Sequence, residues 1–170
     1  NGPTVTPQYL PEGVSGYRNI ASEAYVSVRK MQEGGDAFWL TDGTLKAHTF
    51  SVVEEVELNR KGRIDLAFDD YKTVRAVVVY NSRNWDKAFT SAIVTFTYLS
   101  NGEEERCSTK ELQFNFDRYS DQDYKIMFVG GSVAAEFAEL QVKSISVVFE
   151  SDRDTIAIPE IVVLGKGDSV

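Results

Sequence analysis

Apolar and polar residues alternate with a period of two along most of the chain, the spacing that sends successive side chains to opposite faces of an extended strand. In Glu111-Leu112-Gln113-Phe114-Asn115-Phe116, the residues Leu112, Phe114 and Phe116 share one face and the polar residues the other. Residues 91–99 repeat the pattern, with Ala92, Val94, Phe96 and Tyr98 on one face and Ser91, Thr95 and Thr97 on the other. Ser100-Asn101-Gly102 follows as a turn, which predicts a hairpin. Val56 and Leu58 alternate with Glu55, Glu57 and Asn59, and beyond Arg60-Lys61-Gly62 the pattern resumes with Ile64, Leu66 and Phe68, which predicts a second hairpin. Residues 74–80 are apolar on nearly both faces, as a central strand covered on both sides requires. Segments 124–129, 140–149 and 161–164 complete the set. Within 140–149 the apolar parity moves near Lys143-Ser144, from Leu140 and Val142 to Ile145, Val147 and Phe149, which predicts a bulge or bend.

Helical signal is confined to 132–139, where Ser132 stands before good helix formers and one or two turns are expected. Short strands separated by Gly, Asn, Asp and Ser turns predict an all-β fold, an antiparallel β-sandwich or jelly roll. At 170 residues with 42% hydrophobic side chains, the chain can fill one core without a disulfide or a structural metal. Residues 1–17, with Pro3, Pro7 and Pro11, read as a lead-in segment or interdomain linker, 18–166 as a single sandwich domain and 167–170 as a tail. The chain starts at Asn1 without Met, as expected of a trimmed domain or processed product.

Charge and rare residues remove whole classes of chemistry. Eighteen Lys and Arg against 26 Asp and Glu give a formal charge of -8, which repels phosphate backbones and anionic lipid and argues against nucleic-acid and membrane partners. Cys107 is the one cysteine and His48 the one histidine, so neither an internal disulfide nor a His/Cys zinc site can be built. There is no Gly-x-Ser-x-Gly elbow and no glycine-rich phosphate loop. The acidic neighbours Glu54-Glu55, Asp69-Asp70, Asp121 with Asp123, Asp152 with Asp154 and Glu103-Glu104-Glu105 fall at predicted turns, where solvated carboxylates explain them better than a glycosidase pair.

Five short signatures in order carry a family resemblance: Asn19-Ile20-Ala21-Ser22; Trp39-Leu40-Thr41-Asp42-Gly43; Gly62-Arg63-Ile64-Asp65-Leu66; Val74-Arg75-Ala76-Val77-Val78-Val79-Tyr80-Asn81; and Pro159-Glu160-Ile161-Val162-Val163. Over residues 19–164 the chain resembles the discoidin, or coagulation factor 5/8 C-type, domain superfamily. The resemblance implies a galactose-binding-like β-sandwich and, in its bacterial branch, a carbohydrate-binding module attached to a secreted glycoside hydrolase or adhesin. It also implies a structural calcium ion held by Asp42 and Glu160 with oxygens at Leu40 and Thr44, Thr44 standing where members usually carry an acid or Asn. Calcium takes six to eight hard oxygens, many of them neutral carbonyls, so two carboxylates suffice. The alternative is that Asp42 makes an Asx turn with Gly43 while Glu160 faces solvent.

Sugar recognition needs a flat aromatic face for the C–H side of a pyranose and planar polar groups for its hydroxyls. The loop Asn81-Ser82-Arg83-Asn84-Trp85-Asp86-Lys87-Ala88-Phe89 supplies both, through Trp85, Arg83 and Asn84. The resemblance adds His48 and Phe50, on the loop after Asp42-Gly43, as sugar contacts. Trp39, inside Phe38-Trp39-Leu40, reads as core. The expected function is therefore a non-catalytic, monomeric module of an exported bacterial protein that targets its parent to glycan. The alternative is a structural spacer or protein-interaction domain, with Trp85 and Phe89 capping the sandwich end and Arg83 paired to Asp86.

Overall fold

A computed structural model describes residues 16–31, 36–43, 56–82, 84–114, 120–121, 124–130 and 139–166. Among them are eleven strands: β1 (Arg18–Asn19), β2 (Tyr25–Met31), β3 (Val56–Tyr80), β4 (Ser91–Ser100), β5 (Glu103–Ser108), β6 (Leu112–Gln113), β7 (Ser120–Asp121), β8 (Tyr124–Gly130), β9 (Leu140–Glu150), β10 (Thr155–Ile158) and β11 (Ile161–Lys166). Every pairing is antiparallel. Three 3-10 turns, Ala21–Glu23, Ala37–Leu40 and Trp85–Lys87, punctuate the loops. None of the described helices is long and apolar enough to cross a membrane.

β3 organises the sandwich because it belongs to both layers. Residues 56–67 pair with β10, β2 and β9, and β4 extends that layer beyond β9 to β5 and β6. After a register shift between Ala67 and Lys72 the strand moves to the second layer, where it runs between β11 and β8. The core closes between the two halves: Leu58, Ile64 and Leu66 from the first and Val74, Val77 and Val79 from the second join Val94 and Phe96 of β4 and Val147 and Phe149 of β9. As expected, 74–80 is buried on both faces.

The hairpin expected around Arg60-Lys61-Gly62 does not form; the chain continues as one strand. Lys61, at φ 65°, takes the left-handed region, but the residues on either side of it stay in the ladders with β10 and β2. The result is a bulge, matched in β2 by a register shift between Arg29 and Met31. Gly62 serves close approach instead of reversal: a Cβ there would stand 2.1 Å from Leu58 Cδ1 and 2.9 Å from Asn59 O. The other hairpin has the geometry the first lacks. Asn101 and Gly102, at φ 52° and 80°, join β4 to β5 with Ser100 opposite Glu103.

The parity change in β9 is a bulge at Lys143: Ser144 stands opposite Ala67 and Thr97, whereas Val142 stands opposite Lys72 and Tyr98. Leu140, Val142, Ile145, Val147 and Phe149 consequently all reach the core. Trp39 packs half-buried against it. Of the strand expected at 111–116, Leu112 and Gln113 pair with β4 and Phe114 is buried, while Asn115 and Phe116 lie outside the described residues. So do residues 1–15, 132–138 and 167–170, which hold the lead-in, the expected helical turn and the tail.

β11 also sets the polarity of the molecule. It runs from Ile161 beside Val79 to Lys166 beside Thr73, and Arg18 pairs with Gly165. Arg18 and Lys166 therefore lie at one end, and Glu160 with the loop that follows Tyr80 at the other.

Candidate functional site

The loop from Asn81 to Phe89 is built around one buried side chain. Asn81 Oδ1 accepts from the backbone N–H of Ser82 at 2.9 Å and of Phe89 at 3.0 Å, and its Nδ2 donates to Phe89 O at 3.0 Å. One amide thus clamps the two ends of the loop. Inside it, Ser82 Oγ accepts from Asn84 N–H, and Asn84 Oδ1 accepts from Asp86 N–H, capping the Trp85–Lys87 turn. Ser151 Oγ donates to Ala88 O at 2.9 Å, and Lys87 Nζ pairs with Glu57. That half-exposed ion pair positions the turn more than it stabilises it.

The two loop aromatics have opposite roles. Phe89 is fully buried, with ring centroids 4.9 Å from Phe149 and 5.2 Å from Phe114. Trp85 keeps 61% of its surface exposed on the capped turn. Asn84 is also exposed, but its carbonyl oxygen serves as the turn's cap, which leaves its NH2 group to face a ligand. Arg83, His48, Phe50 and Thr44 lie outside the described residues. The segment with His48 and Phe50 is flanked by Gly43, bonded to Glu160, and Val56, opposite Ile158.

Beside this loop, Tyr80 N–H donates to Glu160 O at 3.0 Å, so the start of the loop and Glu160 are neighbours. Glu160 is fully buried and does not face solvent. Its Oε2 accepts from Gly43 N–H at 3.0 Å, its Oε1 has no hydrogen-bond partner among the described residues, and Asp42 lies within hydrogen-bonding reach of its carboxyl group. Burial first, and then the Asp42 charge, push the Glu160 pKa up to about 10, against the opposing pull of the Gly43 N–H. Two carboxylates turned toward each other in a dry site share a proton or a cation. Leu40, fully buried, anchors the turn that brings Asp42 there. Among the described residues no three His, Cys, Asp or Glu side chains gather at one point, so a metal here would complete its shell with carbonyl or hydroxyl oxygens. The orphaned Oε1 and the hard, all-oxygen donor set fit calcium.

Three members of this site, Asn81, Ser151 and Glu57, were not singled out by the sequence. Asn81 had a local signal, an Asn at a strand end, but its partner eight residues on depends on where Phe89 is buried. Ser151 and Glu57 gave none, since both come from distant parts of the chain, Glu57 from β3 and Ser151 from the residue after β9.

No family model matches the chain, and no curated protein sequence matches it. Solved structures do. A family 32 carbohydrate-binding module from C. perfringens NanJ, in complex with galactose, superposes with a TM-score of 0.61 at 11% identity, covering 87% of this chain and 98% of that one. A fucose-binding module of Streptococcus pneumoniae gives 0.58 at 14%, covering 89% and 98%. An F5/8 type C domain from Bacteroides fragilis gives 0.60 at 13%, covering 91% and 99%. The superposition covers each neighbour almost end to end, and the chain therefore has the galactose-binding-like, discoidin-type β-sandwich fold that its sequence signatures resemble.

Proposed function

We infer that the chain is a non-catalytic carbohydrate-binding module that grips glycan at the Trp85 end of the sandwich. The observation that carries this reading is Trp85 itself, a large aromatic face held in solvent on a turn whose backbone is fixed by Asn81, Ser82 and Asn84. An aromatic side chain with well over half of its surface in solvent, on a loop with little entropy left to lose, is a preorganised platform. A pyranose that covers half of the exposed ring gains about 2 kcal/mol from apolar burial alone. Asn84 Nδ2 donates to a sugar hydroxyl, the exposed Asp86 carboxylate accepts from another, and Arg83, His48 and Phe50 supply further contacts. Fold neighbours that hold galactose and fucose support the choice of ligand.

Calcium, when bound, would supply fixed positive charge between Asp42 and Glu160, with oxygens at Leu40 and Thr44 completing its shell. Its part is structural: it ties the Asp42-Gly43 turn to β11 beside the Trp85 loop. The module is monomeric and belongs to a larger exported bacterial protein, a glycoside hydrolase or adhesin. Arg18 and Lys166 lie at the end opposite Trp85, so a flanking domain leaves the site open. Weak binding is adequate there, because tethering raises effective concentration at a glycan surface.

The test is a glycan array in calcium, repeated with Trp85→Ala. Binding that a folded Trp85→Ala protein loses supports the module and its site; retained binding moves the site elsewhere. Silence across galactosides, fucosides, glucosides and mannosides favours the spacer reading, to which the burial of Phe89 already contributes.

A further inference from the structure

A groove of about 310 Å³ on the outer face of the first layer takes no part in the site above. Its size is at the lower end of the ~300–1,000 Å³ of small-molecule sites. The floor is the cross-strand pair Ile93 and Val148, which expose 38% and 37% of their surface. Elsewhere this face is polar, with Asp65, Ser146 and Thr95 aligned across three strands and Ser144 opposite Thr97. Two aliphatic side chains laid side by side on a solvent face thus leave more than a third of their surface in water and stand outside the buried core.

The walls of the groove are charged. On one side Glu111 Oε1 accepts at 2.7 Å from the hydroxyl of Ser91, a residue only 2% exposed, so that carboxylate is held in place. On the other side Glu150 Oε1 accepts from Ser151 N–H at 3.3 Å, and its Oε2 forms a loose ion pair with Lys61 Nζ at 3.8 Å. Two carboxylates and one ammonium thus border an apolar floor, and the rim offers mainly acceptors.

The groove is continuous with the Trp85 loop. Glu150 O accepts from the N–H of Thr90 at 2.9 Å and from its hydroxyl at 3.2 Å, and the adjoining Ser151 holds Ala88 O. Lys87, which closes the Trp85 turn, pairs with Glu57, four residues before Lys61 on β3. The bulge at Lys61 makes that stretch shorter than the ~13 Å of four extended residues, so the loop and the groove lie within the reach of a short oligosaccharide.

We propose that the groove is a second sugar subsite, receiving a neutral unit of the same glycan chain that Trp85 grips. The inference rests on the glycan reading of the Trp85 end and deepens it: the ligand is a chain of several units, not a lone terminal sugar. The C–H face of a pyranose lies on Ile93 and Val148, while neighbouring hydroxyls donate to Glu111 and Glu150 and accept from Lys61. Uronic or sulfated units are turned away, because the groove carries one more carboxylate than ammonium on a protein of net charge -8. A lipid tail or an apolar peptide would need more than two side chains of floor.

Calorimetric titration of the full chain in calcium tests this, with galactotetraose, cellotetraose and mannotetraose each measured beside its monosaccharide. At least one tetrasaccharide binds about tenfold or more tightly than its monomer, beyond the roughly fourfold that four equivalent registers give, which corresponds to one further well-placed contact region. Glu111→Gln, which keeps shape and loses charge, and Ile93→Asp, which spoils the floor, each bring the tetrasaccharide back to the monomer's affinity, with thermal unfolding confirming that both variants are folded. Tetragalacturonate does not bind. Equal affinity for monomer and tetramer, or a tetramer advantage that survives both substitutions, overturns the second subsite and leaves the Trp85 reading standing. A tetramer advantage that persists in Trp85→Ala overturns the shared chain. Silence toward every sugar overturns the glycan reading and this inference with it.

Discussion

Replacing Asn81 by Ala separates a loop that is clamped from one that merely rests on the sandwich. Asn81 is fully buried and makes three hydrogen bonds, all to backbone groups at the two ends of the loop. Each contributes a net ~1 kcal/mol, so their loss costs about 3 kcal/mol. Phe89 is fully buried as well, so its N–H and C=O lose their partner in a place water cannot reach, which raises the cost to about 4 kcal/mol. Against the 5–15 kcal/mol of a typical domain this is a large fraction, and for a chain of this length it lowers Tm by roughly 10 °C. Urea unfolding followed by tryptophan fluorescence measures it. Asn84→Ala is the internal control: its side chain caps a single exposed turn, and its loss costs about 1 kcal/mol or less. Asn81→Ala should also weaken sugar binding beyond what Asn84→Ala does, since Trp85 then rides on an unclamped loop. An Asn81→Ala protein that loses under about 1 kcal/mol, or no more than Asn84→Ala, refutes the clamp.

The carboxylate pair gives a pH dependence of unusual sign. With divalent cations chelated, folded Glu160 keeps its proton up to about pH 10 while the unfolded chain releases it near 4.5, so the unfolded state holds fewer protons across that window and stability falls as pH rises. The slope reaches ~1.4 kcal/mol per pH unit, and Glu160→Gln flattens it; urea midpoints in EDTA from pH 5 to 9 that match for both proteins would exclude the effect. Calcium should raise the Tm of the natural chain at pH 7.5 and leave Glu160→Gln unmoved, read by differential scanning calorimetry. Gly165→Ala places a Cβ 2.3 Å from Thr73 O and 2.7 Å from Ile20 Cδ1, so β11 is pushed from β3 and a loss of about 2 kcal/mol or more is expected in thermal unfolding. Asn101→Ala forces Ala into the left-handed position of the β4–β5 turn and costs about 1 kcal/mol by the same measurement, with an unchanged Tm counting against the turn geometry.

What the sequence revealed is what local physics decides. Alternation in residues 91–99 and the Asn101-Gly102 pair are complete within a dozen residues, and the β4–β5 hairpin follows from them. The Lys143 bulge is equally local, since a change of parity leaves no other way to keep both apolar sets in the core. The path of β3 is different. Arg60-Lys61-Gly62 has turn composition, yet whether the chain reverses there depends on β2 and β10, which pair on either side of it and hold it straight. β10 itself, four residues ahead of Pro159, is too short to declare a period. The candidate site divides along the same line. Trp85 was legible as an aromatic in a polar loop, and Asp42 with Glu160 through the family signatures. The burial of Phe89, the Asn81 clamp and the groove were not, because each needs strands brought together from distant parts of the chain.

The distribution of unfavourable features points the same way as the individual residues. The core is closed by well-packed aliphatic and aromatic side chains, and the polar face of the first layer is ordinary. At the Glu160 end, however, the fold leaves a tryptophan largely exposed and buries a carboxylate beside a second one, and the adjoining face partly exposes an aliphatic pair. Each offers surface or charge that an outside group could use: a sugar ring on the exposed part of Trp85, a cation at Asp42 and Glu160, a second sugar on Ile93 and Val148. A spacer has no reason to collect all three at the end farthest from Arg18 and Lys166, whereas a module that reaches out from its parent toward a glycan does.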